Sequence, residues 1–321
     1  MFSDFDHAMM QRALALAEKG LFTTTPNPRV GCVLVHGDTV IGEGYTQPAG
    51  QDHAEIQAIK DAQSRGQDVR GATAYVTLEP CSHFGRTPPC ADRLVEAGIT
   101  RVVAAMEDPN PAVSGRGLQK LRDAGVDVRC GLLEREAREL NIGFVSRMTR
   151  GTPWVRVKVG ASLDGRTALD NGISQWITET EARNDGHRWR ARACAILTGI
   201  GTVRDDDPQL NVRAVQTPRQ PLKVLIDSRV VPVTADGLDE GFVSASFLHQ
   251  RQVAAEDGKI AVPHNLLQRV NVHACPQAPE GEGAAEGVHG CQLRAQAGHV
   301  VSRMRPTEIL QRRQRRQAAR R

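Results

Sequence analysis

Two stretches, His53-Ala54-Glu55 and Glu79-Pro80-Cys81-Ser82-His83-Phe84-Gly85-Arg86-Thr87-Pro88-Pro89-Cys90, decide how the first part of the chain folds. The imidazole of His53 and the thiols of Cys81 and Cys90 are three zinc ligands of suitable softness. Three protein ligands leave a fourth position for water, which is typical of catalytic zinc sites. Glu55 follows His53 by two residues and is not needed as a ligand. Its carboxylate is therefore free to move protons at that water.

This motif order, H-x-E followed by Pro-Cys and a second cysteine, is typical of zinc deaminases, which attack a ring carbon carrying an exocyclic amine. Here eight residues separate the two cysteines, whereas the short form of the motif has two. A structural zinc site and a chance combination of residues are the alternatives. Each motif is weak by itself, and their occurrence together in this order favours catalysis.

The pattern around the motifs alternates strands and helices. Because Cys90 opens a helix, the positive end of the helix dipole favours its thiolate. The alternation predicts a layered α/β domain over residues 1–148, followed by an interdomain linker at 149–153. The predicted helices are residues 4–19, 53–64, 90–97, 117–124 and 134–147, and the predicted strands are 30–35, 39–44, 72–78, 102–105 and 126–129.

A second α/β unit is predicted from residue 153 to residue 233. Strands are expected at 154–159, 195–198 and 222–226. Lys158 lies in the first of these, flanked by valines, and a lysine on an inward face needs a charged partner such as a phosphate. The alternative is an edge strand with Lys158 pointing to water. Gly199-Ile200-Gly201-Thr202 after an apolar strand is a weak phosphate-binding signal.

Residues 234–321 follow a different pattern, in which apolar periodicity fades and Gln, Ala, Gly and Arg dominate. Such composition offers too little apolar surface to offset chain entropy, so a disordered Arg-rich tail is predicted. The last 21 residues hold eight arginines and one acid, a balance of +7, so with a net charge of +4 for the whole chain the remaining residues are mildly acidic at −3.

The bulk composition is that of a globular protein with 4% aromatic residues. No stretch approaches the roughly 20 apolar residues that span a bilayer, and the acidic N-terminus lacks signal-peptide features. We therefore expect a cytoplasmic protein with no membrane partner. In a reducing compartment the paired cysteines favour metal binding over disulfides.

These residues resemble those of a known family, the bifunctional riboflavin-biosynthesis deaminase/reductases. The long inter-cysteine loop that ends in Gly-Arg-Thr-Pro-Pro-Cys90 distinguishes this family from the nucleoside and transfer-RNA deaminases, which have the short form of the motif. The resemblance covers about residues 4–230. Its other motifs are Thr25-Pro-x-Pro-x-Val-Gly31, Glu107-Asp-Pro-Asn-Pro111, Gly160-Ala-Ser-Leu-Asp-Gly-Arg-Thr167, Ser174-Gln-Trp176, Asp206-Asp-Pro208 and Asp227-Ser228.

For the first domain the resemblance implies a cytidine-deaminase-like three-layer fold. It implies hydrolytic deamination of 2,5-diamino-6-(5-phosphoribosylamino)pyrimidin-4-one, a small phosphoribosyl pyrimidine. His53, Cys81 and Cys90 would hold Zn²⁺, and Glu55 would carry the proton. Asn27, between two prolines, could be simple turn chemistry. Next to a deaminase site it would be a hydrogen-bonding group for the pyrimidine edge.

For the second domain the resemblance implies an incomplete dihydrofolate-reductase-like α/β fold that uses NADPH to reduce the ribosyl group to ribityl. Lys158 would lie near the sugar, and arginines suit the substrate phosphate. The cofactor contacts would fall on Gly160, Trp176, Thr202, Asp206 and Ser228. The substrate contacts would fall on Ser174, Arg190, Leu210 and Arg213.

The chain departs from the family pattern in two places. Thr46 stands where the family usually has His, which weakens one expected substrate contact. After Val233 the expected dinucleotide-binding continuation is missing. We hypothesise that the reading frame was disrupted near residue 233, and half a reductase sheet would then have weak or absent activity. An intact frame together with NADPH oxidation would refute this.

Two other functions stay open. One is a monofunctional deaminase with a vestigial reductase half. The other is an RNA-binding or RNA-editing deaminase that uses the Arg-rich tail, although the low aromatic content and the long inter-cysteine loop count against nucleic-acid binding. A homo-oligomer is one expectation for the quaternary state, because half-built sheets commonly find partners.

Overall fold

The computed structural model describes residues 2–83, 88–111, 113–227 and 242–246, all within one compact unit, Met1–Gly281. Helices and strands alternate along most of it. The helices are α1 (Asp4–Glu18), α2 (Ala54–Ser64), α3 (Cys90–Glu96), α4 (Arg116–Asp123), α5 (Glu134–Leu140), α6 (Ile142–Arg150), α7 (Thr180–Arg192) and α8 (Ile200–Asp206). The strands are β1 (Gly31–His36), β2 (Thr39–Tyr45), β3 (Thr73–Val76), β4 (Arg101–Ala104), β5 (Asp127–Cys130), β6 (Ala195–Gly199), β7 (Leu222–Asp227) and β8 (Phe242–Ser246).

The first five strands form one mixed sheet in the order β2-β1-β3-β4-β5. β1 pairs antiparallel with both β2 and β3, whereas β3, β4 and β5 are parallel. β3 and β4 are short, largely apolar runs with most side chains buried, as expected for strands covered on both faces, whereas the edge strand β5 is partly exposed. The antiparallel hairpin and the helical crossovers therefore build a single continuous core.

Helices cover both faces of this sheet, and glycines mark where they approach most closely. Successive residues of a strand point to opposite faces, so Gly31 and Cys32 face different layers. A Cβ on Gly31 would lie 1.9 Å from the Ala13 carbonyl of α1. Gly44, the partner of Cys32, would bring a Cβ within 2.3 Å of the Ala54 carbonyl of α2. The first domain is therefore a three-layer helix–sheet–helix structure, as predicted.

The predicted helix over residues 134–147 is two helices, broken at Asn141. Asn141 is fully buried, and its side-chain amide bonds both the N–H and the C=O of Arg29, each at 2.8 Å. The side chain thereby pairs with the backbone that leads into β1, 112 residues away in sequence. The local pattern of a helix carries no signal for such a distant partner.

The second sheet is parallel in the order β6-β7-β8. The predicted strand at 154–159 is wrong: the structure has no strand there, because an extended segment without a neighbouring strand forms no ladder. The prediction of disorder from residue 234 onward is wrong at Phe242–Ser246, whose backbone pairs with β7. The rest of residues 234–321 lies outside the described residues.

Apolar side chains are distributed unevenly between the two sheets. Nearly all fully buried apolar residues belong to the first domain. In contrast, the large apolar side chains that are exposed, among the residues that the structure describes, lie between residues 163 and 222, and they are Leu163, Leu169, Ile173, Trp176, Trp189, Leu197 and Leu222. Within the described ranges, no helix is both long enough and apolar enough to cross a bilayer.

Candidate metal centre and active site

The site lies at the sheet edge where β1 begins and its two antiparallel neighbours end. The Thr46 N–H bonds the Val30 carbonyl at 2.9 Å on one side of β1. On the other side, Gly31 and Thr77 exchange two hydrogen bonds of 3.1 Å, one through the Thr77 hydroxyl. Because Gly44 lets the first turn of α2 approach the sheet, the start of that helix is held at the same edge.

The three predicted zinc ligands converge here. His53 is the N-cap residue of α2, Cys81 follows β3, and Cys90 is the first residue of α3. The Nδ1 atom of His53 lies 3.3 Å from the Cys90 Sγ and 3.8 Å from the Cys81 Sγ. All three ligand atoms lie within 4.8 Å of one another. Tetrahedral ligands at ordinary zinc distances are separated by roughly 3.5 Å, so this donor set and spacing fit zinc.

The charges of the ligands also suit a cation. The thiol of Cys90 hydrogen-bonds the Cys81 sulfur and, with burial opposing and His53 assisting, lowers the pKa of Cys81 to about 4. The same bond and burial raise the pKa of Cys90 above its ordinary value. The bond to Cys81 raises the pKa of His53. The two sulfur atoms and the imidazole nitrogen thus face one another, and a divalent cation bound among them would favour the deprotonated thiols.

Glu55 lies in the first turn of α2, beside the ligands, and its side chain is buried with only 4% of the residue exposed. Burial and the neighbouring Cys81 raise the pKa of Glu55 to about 7. A carboxyl group with that pKa both accepts and donates a proton near neutral pH. The structure therefore places a buried carboxyl group next to the metal-ligand cluster, and its role as a proton carrier stays a prediction.

Glu79 anchors the loop that carries Cys81. The sequence motif includes this residue, but its function is not evident from the sequence alone. Its buried carboxylate accepts four backbone N–H groups. Oε2 accepts from Asp108 at 3.0 Å and Gly115 at 2.9 Å, and Oε1 accepts from Gly117 at 2.7 Å and Leu118 at 3.3 Å. The last three donors surround the start of α4, where a negative charge is favourable.

Asn27 lies three residues before Val30, in the turn that leads into β1 at the site edge. It is half-buried, and its N–H donates to the Thr24 carbonyl at 2.8 Å. Thr46, which stands where the resemblance leads us to expect His, is buried with its hydroxyl donating to the Val30 carbonyl. The structure thus supports turn chemistry for the Asn27 backbone, and a substrate role for its side chain stays a prediction.

In the second domain the structure gathers the predicted basic residues near one another. Burial and the nearby Arg190 lower the pKa of Lys158. Burial and the nearby Arg213 likewise lower the pKa of Arg190. A Cβ on Gly160 would lie 3.4 Å from the Lys158 Nζ, and Arg190 donates to the Asn211 carbonyl at 3.3 Å. Mutual repulsion among these cations is relieved by an anion, so the cluster suits a phosphate.

The other predicted reductase residues are more exposed. Trp176 is 69% exposed, and the Arg183 guanidinium lies 4.6 Å from the centre of its ring. Thr202 and Asp206 lie on α8 and are exposed, Ser174 is half-buried, and Leu210 is half-buried with φ of 51°. Ser228 lies outside the described residues. Their roles in binding a dinucleotide or substrate stay predictions.

Two family models match the chain. The "Cytidine and deoxycytidylate deaminase zinc-binding region" matches residues 3–106, which include all three ligands. The "RibD C-terminal domain" matches residues 153–272, beyond the end of similarity predicted near residue 233. The first domain thus carries a zinc-binding region of the deaminase type. The domain boundaries themselves stay predictions.

Individual relatives agree with the models. The chain is 54% identical over 242 residues to riboflavin biosynthesis protein RibD of Escherichia coli, covering 71% of this chain and 65% of the relative. It is 46% identical over 240 residues to the RibD protein of Aquifex aeolicus, covering 74% and 67%. The chain therefore spans about two thirds of the length of these curated relatives.

Two solved structures are similar along most of the chain. RibD of Acinetobacter baumannii, form 1, is 43% identical with a TM-score of 0.69, over 86% of this chain and 75% of that one. The Thermotoga maritima diaminohydroxyphosphoribosylaminopyrimidine deaminase/5-amino-6-(5-phosphoribosylamino)uracil reductase is 39% identical, also with a TM-score of 0.69, over 78% and 72%. Each likeness covers more than three quarters of this chain.

Proposed function

The chain belongs to the RibD family of riboflavin biosynthesis proteins, and we propose that it deaminates 2,5-diamino-6-(5-phosphoribosylamino)pyrimidin-4-one in that pathway. The observation that carries the proposal is the convergence of one histidine nitrogen and two cysteine sulfurs beside a buried carboxyl group. The sequence similarity to bifunctional relatives supports the choice of substrate.

Different residues of the site would carry out different steps of the hydrolysis. When bound, zinc would supply a water molecule acidic enough to be a nucleophile near neutral pH. Glu55 would accept a proton from that water and deliver it to the exocyclic amine nitrogen, which departs as ammonia. Because Glu55 is buried, bulk water does not compete for its proton, and its pKa of about 7 suits both transfers.

Substrate orientation would fall to the turn before β1. Asn27 can donate to and accept from the edge of a pyrimidine ring through its side-chain amide. At position 46 the family usually has an imidazole, whereas this chain has the single hydroxyl of Thr46. That hydroxyl already donates to the Val30 carbonyl. We infer weaker binding at that position than in relatives with His.

A second activity, NADPH-dependent reduction of the ribosyl to a ribityl group, would belong to residues 153–233 and beyond. Lys158, Arg190 and Arg213 would hold the phosphorylated sugar, whose phosphate balances their charge. Gly160, Trp176, Thr202, Asp206 and Ser228 would hold NADPH. The exposed apolar side chains of this part support a weak reductase.

The partners follow from the same proposal. The substrate is a small molecule, and neither nucleic acid nor a membrane is expected. The cytoplasm is the expected location, and a homo-oligomer is the expected alternative to a monomer. The vestigial-reductase and RNA-editing alternatives are not favoured, because the chain matches the RibD C-terminal domain over residues 153–272 and is similar to a bifunctional deaminase/reductase.

Metal analysis combined with product analysis tests the proposal. Purified full-length protein is expected to contain about one zinc per chain and to release ammonia from the phosphoribosylamino diaminopyrimidinone without NADPH. Adding NADPH is expected to give slow NADPH oxidation. Protein that holds zinc but releases no ammonia from this substrate would refute the proposed activity. Rapid NADPH oxidation would refute only the weak-reductase expectation.

A further inference from the structure

An arginine of the second domain reaches across to the turn that precedes the deaminase site. Arg219 donates from Nε to the Phe22 carbonyl at 3.2 Å and from Nη2 to the Thr25 hydroxyl at 3.3 Å. These acceptors are nearly 200 residues away in sequence, with separations of 197 and 194. Thr25 begins the segment that carries Asn27 into β1.

The same guanidinium also holds the end of α7. It donates to the Ala193 carbonyl at 2.9 Å and to the Ala191 carbonyl at 3.3 Å. The last carbonyls of a helix have no partner within the helix, so an arginine there satisfies them. The planar guanidinium of an arginine spreads five N–H donors over three nitrogens and can join both groups, whereas the three N–H donors of a lysine share one nitrogen.

A second arginine, which belongs to the first domain, donates hydrogen bonds to the same turn. Arg29 is buried, and it donates from Nε and Nη2 to the Leu21 carbonyl and from Nη2 to the Thr25 hydroxyl at 3.5 Å. Its own backbone is fixed by the buried Asn141. One side of the turn is therefore rigidly tied to the first domain, and Thr25 accepts from both arginines.

The two guanidinium groups that contact the turn, those of Arg29 and Arg219, repel each other. Burial, together with the positive charges of Arg192 and Arg219, lowers the pKa of Arg29 to about 10. Arg192 itself donates to the carbonyls of Glu139 and Leu140 at the end of α5. Hydrogen bonds from Arg29, Arg192 and Arg219 to backbone carbonyls offset the repulsion between their positive charges. Such an arrangement depends on the presence of the second domain.

We propose that Arg219 is a positioning residue for deamination: by tying the Leu21–Thr25 turn to the end of α7, it holds Asn27 where the pyrimidine binds. The inference rests on the proposed function. It makes the deaminase dependent on residues 191–219 for substrate affinity, although the metal centre and Glu55 lie wholly in the first domain. It thereby gives the second domain a role in the first reaction that is independent of NADPH.

The test compares Arg219→Ala and Arg219→Lys with Arg188→Ala in the full-length protein. Arg188 is an exposed arginine on α7 and serves as the matched control. Zinc content, KM and kcat for ammonia release, and hydrogen exchange of backbone amides in residues 21–29 are measured for each. Arg219→Ala is expected to raise KM on the order of tenfold, as two hydrogen bonds to the turn are lost. Its kcat and zinc content should stay within twofold of the wild type.

Hydrogen exchange in residues 21–29 should become faster in Arg219→Ala, and Arg219→Lys should restore neither the exchange rate nor KM fully. Arg188→Ala should match the wild type in every readout. The inference is overturned if Arg219→Ala matches Arg188→Ala in KM and exchange, or if kcat and zinc content fall with KM unchanged. If wild-type protein releases no ammonia, the proposed function fails, and exchange in residues 21–29 alone decides whether Arg219 holds the turn.

Discussion

Replacing Glu79 by glutamine removes a buried negative charge that four backbone N–H groups surround. The oxygen that remains can accept from two of them, at 2.7 Å and 3.3 Å or at 3.0 Å and 2.9 Å, depending on the orientation of the amide. The NH₂ group then faces two N–H donors, which are left without an acceptor. Because one pair of donors lies at the start of α4, the favourable interaction of the charge with the helix dipole is lost as well.

The magnitude follows from these contacts. A hydrogen bond to a charged group contributes about 1.5–3 kcal/mol, so losing two costs about 3–6 kcal/mol. The lost interaction with the helix start adds up to about 1 kcal/mol. A typical domain is stable by about 5–15 kcal/mol, so Glu79→Gln should remove a large fraction of the stability of the first domain. Cys81 follows Glu79 by two residues, so zinc should also be lost faster to a chelator.

Urea unfolding followed by far-ultraviolet circular dichroism measures the change. All three tryptophans, at 154, 176 and 189, lie in the second domain, so their fluorescence reports that part separately. Glu96→Gln is the matched control, since Glu96 forms an exposed pair with Arg93 worth about 0–1 kcal/mol. A Glu79→Gln midpoint that indicates a loss below about 1 kcal/mol would refute the anchoring role of the carboxylate.

Three further predictions concern the first domain and α7. Burial raises the pKa of Asp6, but hydrogen bonds from Ser3 and Tyr75 lower it overall, from 3.8 to about 2. The stabilisation is therefore complete above about pH 4 and is lost as the pH falls through about 2, so Asp6→Asn should cost about 2 kcal/mol at pH 7 and much less at pH 2. Equal urea midpoint shifts at both pH values would contradict this. Gly44→Ala should cost at least about 3 kcal/mol and most of the ammonia release, because its Cβ would lie 2.3 Å from the first carbonyl of α2. Gly186→Ala, with open space at its Cβ inside α7, should instead stabilise that helix by about 0.5–1 kcal/mol in tryptophan-monitored unfolding, and a loss of stability there would be unexpected.

Local periodicity and turn residues predicted most elements of the first domain. Helix α1 was predicted at residues 4–19 and is Asp4–Glu18, and α2 was predicted at 53–64 and is Ala54–Ser64. The metal ligands were found because they lie in short motifs whose chemistry is visible without the fold. Such signals depend only on neighbours in sequence, which is why they are readable from the chain.

What the sequence could not show depends on distant partners. Glu79 accepts from backbone groups 29–39 residues away, and a backbone donor leaves no signature in side-chain identity. Asn141 breaks a helix to pair with Arg29, and Arg219 meets a turn at the other end of the described chain. The alternating run at 154–159 satisfied the strand pattern, yet a ladder also requires a neighbour in space.

The central claim is that Glu55 carries the proton beside a zinc held by His53, Cys81 and Cys90. The most direct test is the rate of ammonia release by zinc-loaded Glu55→Gln protein, measured beside the wild type. The variant should keep about one zinc per chain and turn over more slowly by a factor on the order of 10² to 10⁴. Undiminished turnover by Glu55→Gln, with zinc bound, would contradict the account.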